Sequence, residues 1–333
     1  MDYEAIKNYK QTIKLKDIQE YNYFLKQELM NELIESHLLT PIDAPIIQRY
    51  ANNVFHSFFS SNSRSISFSS NTTDLFLELP VYFDLARRWL LYKHDQDEIT
   101  GIIYDTPVIW RDTKLDNLTA IKMNQIEIEY TLNKNDTRDT RGMIKIVDKF
   151  ITSLLKVVDK IHDKTNIGKI FLKTFPHCMH SDLIKKFGKR TVQPLLDLHS
   201  QDESPFIIID DSRNNQGFSN DFHFLPTTHR IESHAKLVAK FSELGRSWPL
   251  VEFAFSANYQ DQLNQLQVVN YSGKNDYSLL LQKNLIKPSV AIKIYTPRLV
   301  VYLLELMHVA EVIKSEWPYD FLAFIGPHGT SIL

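Results

Sequence analysis

The chain has 333 residues, enough for one large domain or two ordinary ones around a substantial core. Its formal net charge of -2 supplies no global positive field for nucleic acid. The single cysteine, Cys178, excludes an internal disulfide and fits a reducing compartment. No apolar run is long enough for a membrane span, and the opening MDYEAIKNYKQTIKLKD lacks the apolar region of a signal peptide, so a cytoplasmic location is expected. Glycine is scarce, and neither the dinucleotide fingerprint nor the Walker loop occurs.

The first element is a helix from Ile13 to Ser36. Ile18, Tyr21, Phe24, Leu25, Leu29 and Leu33 recur three and four apart, an amphipathic stripe, and Asp17 is its candidate N-cap. Pro41 and Pro45 then break the helix, so Leu38 to Ile47 reads as an extended edge. Residues 50–73 are rich in Ser and Asn, with a short strand expected at Arg64–Ser70 and another at Leu75–Leu79. A helix over Tyr82–Tyr92 carries Arg87 and Arg88, read as surface charge or as contacts to an anionic ligand.

The most informative stretch runs from Ile109 to Tyr130. Its end alternates polar and apolar residues with period two, a strand with unlike faces. Gln125, Glu127 and Glu129 share one face, and Ile126, Ile128 and Tyr130 share the other. The preceding apolar run, Thr106–Trp110, ends at Arg111, and the polar loop Asp112–Thr119 joins the two. The expectation is a pair of antiparallel strands on which Arg111 faces the carboxylates. A guanidinium can hold phosphate bidentately, and carboxylates can hold magnesium, so the pair suits a nucleoside triphosphate. The alternative is a half-buried sheet whose outer face is solvated and salt-bridged.

Further along, Asp136–Arg141 is a charged turn, and Ile144–His162 is a long amphipathic helix. A strand is expected at Ile170–Phe175, a short helix capped by Ser181 at Ser181–Phe187, and another at Thr191–Leu196. Phe206–Ile209 is a solid apolar run. Residues 212–234 are polar and irregular, a candidate lid. Leu250–Phe255 and Leu266–Tyr271 read as strands. Ala291–Tyr295 leads into an apolar helix from Leu299 to Ile313, with Pro297 in its first turn and Arg298 at the junction, where helix amides favour anions. The tail from Trp317 is irregular and apolar.

Three of these segments, in this order, carry a resemblance. The helix followed by Leu39–Ile47 resembles motif one of class II aminoacyl-tRNA synthetases, which usually builds a homodimer interface. The pair around Arg111 and Gln125–Glu129 resembles motif two, and the junction at Arg298 resembles motif three. Within that superfamily the chain is similar to the ammonia-dependent asparagine synthetases, the aspartate–ammonia ligases. The similarity lies in YKQTIKLKDIQEYNYFLKQEL, LLTPIDAPIIQR, PRLVVYLLELMHVAEVIKSEWP and the closing Ser331-Ile332-Leu333. The resemblance implies an α+β fold: a class II synthetase-like core with a mixed, mostly antiparallel sheet flanked by helices. It is read as one domain over 1–333 with a variable polar insert around 212–245.

It also implies a reaction. ATP activates a carboxylate as an acyl-adenylate, and ammonia or another amine displaces AMP. Arg111 would hold the substrate-side phosphate, Gln125 would orient the activated carboxylate or ribose, Glu127 would hold magnesium or the amine, and Arg298 would clamp the outer phosphates. Gln265 joins the nucleotide-binding set, and Asp84, Arg88 and Gln125 the substrate-binding set. The chain departs from the family pattern at Ala291–Tyr295, where glycines are replaced by side chains that would crowd a stacked adenine. It departs again at Phe83–Trp89, where the family has a histidine-serine pair and lysines, and at Gln265, where it often has a metal-binding glutamate. The expected function is therefore an asparagine-synthetase-like ligase with an altered substrate. The alternatives are an inactive scaffold with a binding or regulatory role, and an authentic aspartate–ammonia ligase. A homodimer is expected; tRNA and membrane are not expected partners.

Overall fold

The sheet is built outward from the alternating strand read at residues 122–131. The computed structural model describes residues 9–49, 66–71, 74–79, 84–94, 99–133, 136–137, 139–171, 174–188, 192–201, 205–210, 234–241, 244–256, 276–325 and 331–333. In chain order its elements are α1 (Leu15–His37), β1 (Thr40–Pro41), β2 (Gln48–Arg49), β3 (Ile66–Ser69), β4 (Phe76–Leu79), α2 (Asp84–Lys93), β5 (Gly101–Ile109), β6 (Lys122–Thr131) and α3 (Thr140–Thr165). There follow β7 (His177–Met179), α4 (His180–Phe187), α5 (Val192–His199), β8 (Phe206–Asp210), β9 (His234–Phe241) and β10 (Arg246–Phe255). The last are α6 (Asp276–Gln282), β11 (Ser289–Ile294), α7 (Thr296–Leu303), a 3-10 turn at Val309–Glu311 and α8 (Tyr319–Ile325).

Eight strands form one sheet in the order β1-β5-β6-β11-β10-β9-β8-β7. The end pairs β1–β5 and β7–β8 are parallel and the others antiparallel. The architecture is thus α+β with a mixed, mostly antiparallel sheet. Strands β2, β4 and β3 form a separate small sheet. Helices α1 and α3 pack on each other and cover one face of the large sheet. That face supplies Ile126 and Ile128 of β6, Ile292 and Ile294 of β11, and Phe253 of β10 to the main core. The Phe150 ring of α3 meets Phe253 edge-on at 5.2 Å. Shortening Ile128 to Val should lower the unfolding free energy by about 0.5–1.5 kcal/mol, read from a urea titration. On the opposite face, α2 packs near β5 and β6, while α4 and α5 cover β8 and β10. No helix among the described residues is long and apolar enough to cross a membrane.

Several expectations need correction. The described residues of Ile170–Phe175 are not a strand: Phe171 and Phe175 turn inward to pack edge-on at 5.2 Å, and Ile170 is exposed. The strand comes later, at His177–Met179, beside β8. Ser181 does not cap α4, whose N-cap is Met179 with no side-chain bond. Part of the insert expected over 212–245 is a buried strand, because β9 pairs along both β8 and β10. Residues 211–233 and the strand expected at Leu266–Tyr271 lie outside the described residues. The tail holds the helix α8, with Phe321 fully buried.

The helix expected from Leu299 to Ile313 stops at Leu303. Glu305 takes a left-handed conformation, φ 54°. The Leu306 N–H then bonds the Val301 carbonyl, and the Glu305 N–H bonds that of Tyr302. This is a Schellman closure, usually made by glycine. Beyond it, His308 starts the 3-10 turn. Its ring nitrogen accepts the Ala310 N–H, while the Glu311 carboxylate accepts from the His308 and Met307 amides. The ring packs against Trp317 and Phe321, and burial lowers its pKa to about 3. Burial likewise lowers His37 to about 4. The unfolded chain takes these protons near the ordinary histidine value of about 6.5, which the folded state refuses. The neutral rings therefore cost nothing above that value, and stability is lost as pH falls from it. The urea midpoint should drop between about pH 7 and pH 5.5, and His308→Asn should flatten that drop.

Candidate functional site

Gln125, Glu127 and Glu129 alternate along β6 and point away from the α1–α3 core, as the period-two reading requires. All three are buried. The cation that faces the carboxylates is Arg87, not Arg111. Arg87 projects from α2 and is fully buried. Its Nη1 donates to Glu127 Oε2, and its Nε donates to Glu129 Oε2 at 3.3 Å. The same Glu127 oxygen accepts the Tyr104 hydroxyl at 3.2 Å, and its other oxygen accepts from Gln125 Nε2. Ser289 donates to Glu129 Oε1 at 2.6 Å. The carboxylate requires a donor from Gln125, so this bond fixes the amide's orientation. Gln125 Oε1 is left as a buried acceptor with no partner.

Strand register extends the polar face across the sheet. Tyr104 pairs with Glu127, Glu127 with Lys293, Lys293 with Glu252, and Glu252 with Lys236. A buried row of alternating charge thus runs through β6, β11, β10 and β9. Lys236 reaches Glu252 at 2.7 Å, and the Tyr295 hydroxyl donates to the other Glu252 oxygen at 2.9 Å. Burial pushes the Glu252 carboxyl up, but Lys236 and Lys293 outweigh it and hold it below its ordinary value. Burial pulls Lys236 down, against the attraction of Glu252. The pair therefore stays ionised near neutrality, which buried charges manage only when paired.

Arg298 stands in the first turn of α7, as expected, and is buried. Its Nε donates to the Leu118 carbonyl at 3.0 Å and its Nη2 to Thr119 Oγ1 at 3.4 Å. It is thus held against the β5–β6 loop. The Tyr295 ring lies under its guanidinium, 4.5 Å from centroid to Cζ. Tyr295 and Lys293 are both buried.

The other expected site residues divide. Arg111 sits exposed in the turn after β5, so it does not face Glu127. Its strand ends at Ile109, and the turn carries Arg111 out of the paired rows. Arg88 is buried, but its Nη2 donates to the Lys287 carbonyl at 3.3 Å, beside β11 rather than into the charged row. Asp84 opens α2 with its side chain outside the description, and Gln265 lies wholly outside the described residues. Magnesium does not fit the described donors. Both Glu127 oxygens already accept from Arg87, Tyr104 and Gln125, and no cluster of three or more metal-ligating residues occurs among the described residues.

Sequence reading left Arg87 as surface charge or an anion contact and Lys293 as a crowding side chain, and gave Lys236 and Glu252 no role. A signal existed for each. Arg87 shares its helix face with Leu91, four residues on. Lys293 lies between Ile292 and Ile294, and Glu252 between Val251 and Phe253. A lone charge inside an apolar strand run marks a polar row on a sheet buried on both sides.

Known proteins match the chain in sequence and in fold. The family model for aspartate–ammonia ligase matches residues 15–203. An aspartate–ammonia ligase of Clostridium tetani (strain Massachusetts / E88) is 19% identical over 252 residues, 74% of this chain and 73% of that protein. Asparaginyl-tRNA synthetase from Pyrococcus horikoshii, complexed with asparaginyl-adenylate, superposes with a TM-score of 0.66 at 12% identity, covering 90% of this chain and 68% of that one. The Entamoeba histolytica asparaginyl-tRNA synthetase, also with asparaginyl-adenylate, gives 0.63 at 10% identity, covering 90% and 66%. The structural matches establish a class II aminoacyl-tRNA synthetase-like fold. With the family match spanning more than half its length, the chain belongs to the aspartate–ammonia ligase family, whose members are ATP-dependent ligases.

Proposed function

We propose that the protein is an AMP-forming ligase that activates a carboxylate with ATP and joins it to ammonia or another amine. The carboxylate oxygen attacks the α-phosphorus, and pyrophosphate leaves. The amine then attacks the acyl carbon, and AMP leaves with the anhydride oxygen. Gln125 Oε1 carries this reading: it is a buried, unpartnered acceptor beside Glu127, suited to an N–H of the amine. Glu127 positions Gln125 rather than holding a metal, because Arg87 and Tyr104 already engage it. Arg298 is the cation for the phosphates and developing charge. Arg111, exposed in the turn after β5, serves as a further phosphate contact from the β5–β6 loop. No step is assigned to magnesium.

The acyl donor differs from aspartate in this proposal. Arg87 of α2 is committed to Glu127 and Glu129, so that helix presents the sheet, not a substrate carboxylate, with its buried guanidinium. A homodimer forms through the motif-one segment, where Leu38, Ile46 and Ile47 are exposed apolar side chains in the single chain. Light scattering at twice the chain mass supports it. Calorimetric titration with ATP, followed by a carboxylate screen read by pyrophosphate release, tests the ligase. Aspartate with ammonia is the first pair. Turnover of that pair would instead make the protein an authentic aspartate–ammonia ligase.

A second reading is a scaffold that has given up the nucleotide. Its support is Tyr295, whose ring already lies on the Arg298 guanidinium and whose hydroxyl bonds Glu252. ATP binding by the purified protein would exclude it.

A further inference from the structure

The groups that hold Arg298 are a peptide carbonyl, a hydroxyl and an aromatic ring: Leu118 O on Nε, Thr119 Oγ1 on Nη2, and Tyr295 beneath. A carboxylate in their place would neutralise the guanidinium and compete with a phosphate. These groups fix its direction and leave its charge, which is how a preorganised cation is built. Nη1 takes part in neither loop bond. We propose that Asp116 is a positioning residue for Arg298: it shapes the turn that presents the Leu118 carbonyl and the Thr119 hydroxyl to the guanidinium. The proposal rests on the role given to Arg298 in adenylate formation.

Two consecutive peptide planes of this turn answer to Asp116. Its Oδ1 accepts the Leu118 N–H at 2.8 Å, the two-residue reach by which an aspartate side chain shapes a turn. Its carbonyl accepts the Thr119 N–H at 3.4 Å, and its own N–H bonds the Thr119 carbonyl at 3.3 Å. The second of these planes carries the Leu118 oxygen that meets Arg298. Burial pushes the Asp116 carboxyl up while the Arg298 charge pulls against it, so the carboxylate lies within electrostatic reach of the guanidinium.

The turn is also pinned from its far side. The Asn117 carbonyl accepts the Val309 N–H at 2.9 Å, and its Nδ2 donates to the Met307 carbonyl at 3.3 Å. The Leu118 side chain is buried in the main core. Met307 and His308 are held in turn by the Glu311 carboxylate, whose other oxygen accepts from Tyr9 at 2.7 Å and Gln11 at 3.0 Å. Arg111, Asp112 and Lys114 of the same loop are exposed. The loop therefore has an exposed front and a docked back, and the half-buried Asp116 stands at the boundary. A front free to meet a ligand and a back that keeps Arg298 aimed are separate tasks, and a misplacement of about 1 Å in the second is costly to catalysis.

Modification of arginines by phenylglyoxal, mapped by mass spectrometry on the full chain without nucleotide, reads the hold on Arg298 directly. Asp116→Ala should speed modification of Arg298 severalfold and leave the exposed Arg141 at its parent rate. Asp116→Asn, whose amide oxygen still accepts from Leu118, should stay near the parent. Thr119→Val removes the second contact and should act as Asp116→Ala does, with Thr119→Ser restoring the parent rate. Carboxylate-dependent pyrophosphate exchange reads the consequence. Asp116→Ala should slow it about tenfold or more, in kcat rather than KM, and should add nothing in the Arg298→Ala background. Parent rates of Arg298 modification in both Asp116→Ala and Thr119→Val, or a full further loss of exchange in the Arg298→Ala background, would overturn the proposal. A parent with no exchange on any carboxylate, whose Arg298 is nonetheless freed by Asp116→Ala, would sink the ligase and leave Asp116 as the residue that positions Arg298.

Discussion

Replacing Arg87 with Met should destabilise the protein by about 3–5 kcal/mol, because it leaves two buried carboxylates facing each other without their cation. Glu127 and Glu129 are both at or below 1% exposed, and one guanidinium bridges them. Desolvating each carboxylate is compensated by Arg87 and by the neutral donors Tyr104, Gln125 and Ser289, which alone cannot balance the charge. The measurement is the urea midpoint of Arg87→Met beside Arg87→Met/Glu127→Gln. The second substitution removes one of the two carboxylate charges, so it should recover a substantial part of the loss. Arg87→Lys should recover less, since an ammonium cannot reproduce the forked contact to two residues. A single variant as stable as the parent would mean that Arg87 does not hold the charge of this face.

The second large effect concerns Arg298 and Tyr295. If the protein forms an acyl-adenylate, Arg298→Ala should slow carboxylate-dependent pyrophosphate exchange by about 10²–10³-fold, the usual cost of removing one preorganised charge donor from a developing anion. Tyr295→Gly tests the competing scaffold reading. It lifts a ring from the guanidinium and a hydroxyl from Glu252. If Tyr295 stands where a nucleotide base should stack, the glycine variant should bind ATP at least about tenfold more tightly than the parent. Parent binding lost in Arg298→Ala supports the ligase. Binding gained only in Tyr295→Gly supports a lineage that closed its own shelf. ATP binding by none of the three proteins would mean that Arg298 has no nucleotide to meet, and both its assigned role and the shelf would fail.

The local rules explain why some elements were legible. The stripe of Ile18, Tyr21, Phe24, Leu25, Leu29 and Leu33 gave α1 nearly to its ends, and all but the half-buried Phe24 are buried. The alternation from Asn124 to Tyr130 gave β6 and its two faces. The order of proline edge, paired strands and strand-helix junction gave the family. The misses have equally physical causes. Helix α7 ends early on a left-handed Glu305, and α1 ends on a left-handed Leu38. In a chain with only 9 glycines, these stops leave no glycine mark. Strand β9 was hidden because Lys236 and Lys240 interrupt its apolar residues, and the first of these lysines is buried against Glu252.

What the sequence determined by itself was periodicity, and through it the type of each strong element and the face each side chain would take. Backbone geometry makes that information local: a side chain's face follows from its position in a repeat of two or 3.6. Which charges meet is not local. Arg87 reaches Glu127 from 40 residues away in the chain, and Lys293 stands opposite Glu127 in register only because β11 pairs with β6. Arg111, far closer in sequence, turns outward where β5 ends. Only the tertiary structure decided these partners, because a buried charge is settled by whichever opposite charge the packed elements bring within hydrogen-bond reach.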